Sequence, residues 1–561
     1  MNFQDNVSDC EAEGHGVFAK EIIPATLFPP ISSVTLGPST RPLNMEPACI
    51  RHTDLPGASR LFVDISYHFE RVSSFYRHDP HNFESFAAAA REIDYPDTRR
   101  AAMVRALTAQ NGPSANLDRL AQPGTVVIVT GQQVGLFSGP AYTIYKAVTA
   151  ARLAKELSDR GTPAVPVFWL ATEDHDLEEV DHAWVFDSSR QPVGLRAQTQ
   201  PNGKPRPVGG IVIEHAPMDE LRRALQGFPH AEEVIAMVGD AYPAGVTMGA
   251  GFRALLEKLL APLGLIFLDP LDPAIREIGA PLIAGALDAA PELKASLLAR
   301  TKELEAAGYH AQVHLEDKTS LFFLLENGER LPLRINGSDF SSLRDRAAEI
   351  SPNALLRPVM QDYLLPTCAY VGGPAELAYL AQSQVIYDRL LGRMPVMVSR
   401  AGFTLLEPHT QKLLARYKLA LPQVFIDEDH LKERVAQSLV PESQGHSFET
   451  ETAGILKHLG RVRAELERFD PTLAASLDKS GSKIAYQLDK ARRKTAAEIM
   501  RRNDRASGDA RYLGDFLYPR RHLQERFYSI LPFLAAHGSD LVERLYDAVQ
   551  LDCPDHRVVS I

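Results

Sequence analysis

Four polar turns in this chain carry the residue types from which a reactive or binding site is made: Gly131-Gln132-Gln133, Glu173-Asp174-His175-Asp176, Asp269, and Gly372-Gly373-Pro374-Ala375-Glu376. In the first, Gly131, Gly135 and Gly139 let backbone approach a ligand just before a helix N-terminus, where free N–H groups and the helix dipole favour phosphate or carboxylate. The pattern is neither G-x-G-x-x-G nor a Walker loop, and it reads equally as a plain tight turn. Gln132 and Gln133 either hydrogen-bond a ligand or cap the strand end, and Lys146 lies in the helix that follows. In TEDHD, carboxylates surround His175, which raises an imidazole's pKa and suits a base or a nucleotide contact. Along extended backbone Asp174 and Asp176 share a side and His175 points away, so a compact metal cage is not expected; surface acidity alone is the other reading. Glu376, in the first turn of a helix, complements the dipole. Asn353 and Arg357 precede that strand; an arginine there binds a carboxylate in bidentate fashion or makes an ordinary surface ion pair.

The elements that must position these turns follow one pattern, a short apolar run, a polar turn, then a helical period. TVVIV (125–129), AVPVFWLA (164–171), LGLIFLD (263–269), AYV (369–371) and PVMVS (395–399) are the runs. Apolar runs without alternation suit strands buried on both faces. Their alternation with helices, at about 141–159, from 274, and through Leu391, predicts parallel βαβ units and a doubly wound α/β core. In such sheets ligands sit beyond the carboxyl ends of the strands, where all four turns fall.

Between these units, 185–255 and 301–345 read as insertions, the second with QVHLE and a hairpin turning at Asn327-Gly328. Residues 1–45, rich in Pro, Ser and Gly, read as an irregular lead-in; helices are expected over 61–77 and 82–110. The core then spans 46–184, 256–300 and 346–408, with a helical region at 409–540 and a tail at 541–561. Ile455, Leu459, Val462, Leu466 and Phe469 are spaced as a coiled-coil seam. Asp470-Pro471 ends that helix and starts the next, since Asp is a good N-cap and Pro is tolerated in a first turn. Leu473, Leu477, Ile484, Leu488 and Ile499 continue the seam, giving an αα-hairpin that pairs with itself or with a second subunit.

The totals limit the function. At 561 residues, two to four domains are expected. A net charge of −11 argues against nucleic acid or an anionic membrane as the bulk partner. Four cysteines without a C-x-x-C give neither a disulfide framework nor a zinc knuckle. The acidic N-terminus shows no signal peptide and no apolar run approaches a membrane span, so the cytoplasm is expected.

TGQQVGLFSGPAYTIYKAVTAARLA (130–154), VPVFWLATEDHDLEEVDH (165–182), SPNALLRPVMQDYLLPTCAYVGGPAELAYLAQ (351–382), PVMVSRAGFTLLE (395–407) and LQERFYSILPFL (523–534) together resemble the bacterial family of bacillithiol-biosynthesis cysteine-adding enzymes. The resemblance, over about 45–540, implies a Rossmann-like core related to class I aminoacyl-tRNA synthetases, connective insertions and a dimerising C-terminal coiled coil. It implies a ligase that joins L-cysteine to glucosaminyl malate through an amide at the sugar amine, with ATP or ADP as the nucleotide and no metal beyond an accompanying Mg²⁺. One departure is plain: the first turn reads SGPAYTIYK without the synthetase His-x-Gly-His, and MVSRAG only faintly echoes Lys-Met-Ser-Lys-Ser.

The expected roles are His175 as base or nucleotide contact, Asp174 orienting it, and Lys146 with the 131–139 backbone holding developing negative charge. Gln132, Gln133, Tyr142, Thr143, Asp176, Asp269, Asn353, Gly372, Gly373 and Glu376 bind substrate or nucleotide, and Arg357 or Arg400 holds malate carboxylates. Two rival readings stand beside this: a nucleotidyltransferase that adenylates without ligating, and an RNA-binding module using the basic stretch KARRKTAAEIMRR (490–502).

Overall fold

Five apolar runs condense into one parallel sheet, in the computed structural model that describes residues 49–199, 205–315, 320–333, 341–439 and 442–561. The strands are β1 (Val126–Gln133), β2 (Ala164–Ala171), β3 (Ile266–Leu268), β4 (Thr367–Gly372) and β5 (Val396–Ser399), side by side in the order β5-β4-β1-β2-β3. Every neighbouring pair is parallel. Chain order reverses between β1 and β4, which makes that junction the switch point of a doubly wound fold. The absence of alternation in the sequence has a direct cause: Val127 and Val129 pack into one apolar cluster and Val126 and Ile128 into another, so both faces are covered.

Helices α1 (Tyr142–Asp159), α2 (Pro273–Asp288), α3 (Arg357–Leu364) and α4 (Pro374–Leu390) frame the sheet. Asp272 caps α2 through the Ala274 N–H at 2.8 Å, with Pro273 in its first turn. The helix expected over 61–77 is shorter: it runs Arg60–Tyr67 and gives way to a 3₁₀ turn at Phe69–Arg71. The stretch 82–110 divides into Phe83–Arg91 and Asp97–Asn111, with Pro96 as the N-cap of the second helix.

Both insertions contain antiparallel pairs, the first beginning at His182, ahead of the expected boundary at 185. His182–Phe186 pairs with Pro192–Arg196, and Gln198–Thr199 with Ile213–His215, followed by three helices between Met218 and Leu259. Phe322–Glu326 pairs with Glu329–Pro332. Asn327 and Gly328 both have positive φ (54° and 75°), as a two-residue hairpin loop with the right twist requires. QVHLE forms no strand over 312–315, and its last residue lies outside the described residues, as does the whole 1–45 lead-in.

The C-terminal hairpin consists of α5 (Glu442–Phe469) and α6 (Pro471–Arg501). Asp470 accepts the Thr472 N–H at 2.8 Å, the cap the sequence called for. Along it Ile455, Val462, Phe469, Leu473 and Ile484 remain exposed, Phe469 by 84%. The basic stretch that favoured RNA is largely neutralised within the chain: Arg492 pairs with Glu433 and Asp489, Arg493 with Asp489, and Arg501 and Arg502 with Glu498. The stretch 541–561, expected as a tail, contains a helix at Leu541–Ala548 and a strand. His556–Ser560 is a strand lying between Phe403–Leu406 and Cys49–Ile50, parallel to the first and antiparallel to the second. Among the described residues no helix is long and apolar enough to cross a membrane.

Candidate active site at the switch point

A cleft of about 430 Å³ opens where β1 and β4 diverge. Lys146, on α1, reaches back across it. Its ammonium donates to the Gly131 carbonyl at 2.9 Å and Gln132 Oε1 at 2.8 Å, and pairs with Glu376 Oε2 at 2.5 Å. Glu376 in turn accepts the Gly373 N–H at 2.8 Å and the Tyr370 hydroxyl at 2.7 Å. Burial alone would raise the Glu376 carboxyl; Lys146, the Gly373 N–H and Tyr370 outweigh it and hold the group below the usual range. Burial likewise lowers the Lys146 ammonium, with Glu376 opposing. The pair ties the ends of β1 and β4 together across the switch point.

This network changes the roles drawn from sequence. All three donors of Lys146 are taken by protein acceptors, so the residue holds the rim together and has no donor left for an oxyanion. In the 131–139 turn the N–H groups of Gly135, Phe137 and Gly139 are likewise already bonded, so none of these three is free for an oxyanion. The Gly135 N–H bonds Gln133 O, that of Gly139 bonds Leu136 O, and that of Ala141 bonds Tyr528 O. Residues 136–138 are buried beneath Tyr242 and Ser529. Gly139 and Thr143 do not line the cleft, and Gly373 has already given its N–H to Glu376. Gly131 is required for a different reason: it sits opposite Trp169 in the sheet, and a Cβ there would lie 2.8 Å from the Trp169 carbonyl.

The TEDHD turn divides. Asp174 lines the cleft beside Gln133, whose amide donates to it at 2.9 Å. Burial raises its carboxyl, but Arg357, Gln133 and the His175 N–H hold it below the usual range, so it is ionised. His175 and Asp176 are exposed and do not line the cleft. Arg330 Nη1 donates to His175 Nδ1 at 2.8 Å, which fixes that nitrogen as an acceptor and separates the ring from the reaction space. Glu173 turns inward to Arg276 at 2.6 Å.

Asp269 and Asn353 are turn caps. Asp269 accepts the Thr172 hydroxyl at 2.5 Å and the Leu271 N–H at 2.9 Å, and Asn353 accepts the N–H groups of Leu355 and Leu356, both at 3.0 Å. Neither lines the cleft, nor does Gly372. Tyr142, Gln132 and Arg400 do line it, with Gln132 Nε2 donating to the Tyr142 hydroxyl at 3.3 Å. Arg400 is clamped by Glu525 through both nitrogens of its fork, at 2.9 and 2.6 Å.

Two groups in the cleft lack a partner suited to them. Arg357, at the start of α3, has no carboxylate within ion-pair distance among the described residues, although Asp174 lies near enough, with Tyr379 and Tyr370, to offset burial and push its guanidinium up. Trp169 is 2% exposed, and its indole N–H has no hydrogen-bond partner. A buried donor left unbonded costs about 1–3 kcal/mol, so an acceptor on a bound ligand is the natural complement. Trp169, Tyr370, Tyr379, Gln361, Glu179 and Arg526 were not singled out from the sequence; the position of Trp169 near the end of a strand was its one available signal. Among the described residues no group of three or more His, Cys, Asp or Glu is placed to hold a metal.

Sheet order, switch-point cleft and helical appendage define a Rossmann-like α/β protein carrying a C-terminal coiled-coil domain. Residues 45–401 match the family model described as bacillithiol biosynthesis BshC, N-terminal Rossmann-like domain, and 403–561 match the BshC C-terminal coiled-coil domain. A relative from Solibacter usitatus, named "Putative cysteine ligase BshC", is 53% identical over 92% of this chain and all (100%) of its own length. Relatives of the same name from Koribacter versatilis and Salinibacter ruber are 36% and 30% identical, over 92% and 89% of this chain and 100% and 96% of theirs. The chain belongs to the BshC family of bacillithiol biosynthesis.

Proposed function

We propose that this protein is a C–N ligase that joins the carboxylate of L-cysteine to the amine of glucosaminyl malate, completing bacillithiol as the last step of its synthesis. The observation that carries the reading is the presence, in one cleft, of an arginine with no carboxylate within ion-pair distance among the described residues and of an orphaned indole N–H: Arg357 and Trp169. Together they suit a substrate carboxylate, with the guanidinium supplying charge and the indole a directed donor. The ionised Asp174 in the same cleft is suited to hold the sugar amine by a charge-assisted hydrogen bond. A free carboxylate is a poor acyl donor, so an activating nucleotide belongs to the proposal. Because the glycine turns have bonded their N–H groups internally, its phosphates would be met by side chains such as Arg526. The reading places the protein in the cytoplasm as a homodimer joined through the exposed seam of α5 and α6.

The test is direct. Purified protein is incubated with cysteine, glucosaminyl malate and ATP, and thiols are followed by mass spectrometry, alongside the thiol pool of a deletion strain. Formation of the cysteinyl sugar in vitro and accumulation of the amine precursor in the strain support the reading. An unchanged thiol pool in the deletion strain sinks it. Cysteine-dependent pyrophosphate exchange without ligation would favour the nucleotidyltransferase instead.

A further inference from the structure

A second cavity, of about 390 Å³, adjoins the first. The two share Gln312, Pro374, Ala375, Arg400 and Arg526, so they are neighbouring compartments of one cleft. The charge lining the second is one-sided. Arg400, Arg521 and Arg526 face a single carboxylate, Glu525. That carboxylate is already satisfied: the Arg400 fork holds both oxygens, and the Phe403 N–H adds a bond at 3.0 Å. Arg521 and Arg526 are exposed, and among the described residues neither has a carboxylate within ion-pair distance. The histidines in the wall, His52 and His556, are both buried, and burial lowers both below the usual imidazole range, so they add polarity without charge. Ser399 and His522 supply further hydrogen-bonding groups.

The backbone that presents these arginines is unusual. Arg520 and Arg521 stand consecutively at positive φ, 48° and 66°. Non-glycine residues in that region are strained and persist where surrounding structure enforces them. Arg520 is held with its guanidinium 4.0 Å from the centre of the Trp184 ring, which leaves Arg521 to the cavity. Two unpaired guanidinium groups in a concave wall favour a dianion, because each fork binds two oxygens and the concavity concentrates the field.

We propose that this second compartment is an anion subsite, built jointly by the N- and C-terminal domains, that seats a dianionic group of a ligand whose reacting end lies at the switch point. Its identity rests on the ligase reading above: a malyl group with two carboxylates fits it, and the phosphate of an activating nucleotide offers the same chemistry. The subsite gives the C-terminal domain a part in binding as well as in assembly.

The experiment is an equilibrium titration of the full chain by calorimetry, with L-malate and inorganic phosphate as separate probes and no turnover. The variants are Arg521→Ala, Arg526→Ala and, as a control in the first compartment, Arg357→Ala, each checked for an unchanged melting temperature. At least one anion binds wild type, weakens about tenfold or more in Arg521→Ala and in Arg526→Ala, and keeps its affinity in Arg357→Ala; about tenfold is what one lost charge-assisted contact removes. Tighter malate identifies the dicarboxylate end of a substrate, and tighter phosphate a phosphoryl group; either supports the subsite. Failure of both anions to bind overturns it, as does loss confined to Arg357→Ala. Because no product is measured, a failed ligation assay leaves this result standing, and a failed titration leaves ligation to be judged by its own assay.

Discussion

Lys146 and Glu376 form a buried ion pair whose every remaining valence is met, and that satisfaction defines what each can do. Removing one partner strands the other charge. Lys146→Ala therefore destabilises the fold by about 3–5 kcal/mol in urea denaturation, and Lys146→Met combined with Glu376→Gln by much less, since no charge is then left buried. Arg357 behaves differently, because no carboxylate lies within ion-pair distance of its guanidinium among the described residues and Asp174 acts on it only from farther off. Arg357→Ala lowers kcat/KM for ligation by about 10- to 100-fold, the worth of a charge-assisted contact, with little change in melting temperature; Arg357→Lys does not restore it, as an ammonium cannot reproduce the fork. His175, bonded to Arg330 outside the cleft, is an ordinary surface group, and His175→Ala changes kcat/KM by no more than about twofold, the kinetic equivalent of a surface substitution of about 0.5 kcal/mol. The residue types at these positions were readable in the chain. Their roles were not, because a role depends on which bonds are already made.

At the scale of elements, the C-terminal strand His556–Ser560 carries a titration built into the fold. His556 is buried and bonds the Thr404 hydroxyl at 2.8 Å, and burial lowers its pKa from 6.5 to about 4. The unfolded chain then binds a proton that the folded chain refuses. The stability this gives is full above pH 6.5 and falls as pH drops from 6.5 toward 4, by on the order of 3 kcal/mol. Chemical denaturation across that window shows the slope, and His556→Gln flattens it. Element boundaries were legible wherever a local signal set them: Asp470-Pro471 between α5 and α6, Asp272-Pro273 at the start of α2, Asn327-Gly328 in the hairpin. The expected helix over 61–77 ran too long, since its amphipathic period continues past Tyr67 while the backbone turns into 3₁₀ geometry. The strand at 556–560 went unread because its partners lie in two distant parts of the chain.

At the scale of the molecule, the hairpin leaves an apolar stripe that its own two helices do not cover: Ile455, Val462, Phe469, Leu473 and Ile484. A second copy of the hairpin is the partner proposed for it. Light scattering on the full chain gives a dimer, and Val462→Glu with Ile484→Glu gives a monomer that keeps its near-ultraviolet dichroism; a monomeric wild-type chain would exclude the arrangement.

The sequence by itself determined the parallel α/β class, the five core strands, the hairpin and the rim to which the reactive turns belong. Each is fixed by patterns within a few residues, where burial on both faces, capping and proline geometry act. Only the tertiary structure decided that Lys146 is tied to Glu376, that Asp174 enters the cleft while His175 leaves it, and that the Trp169 indole N–H is left without an acceptor. Those outcomes are set by hydrogen bonds and charges among groups far apart in the chain, which have no local signature.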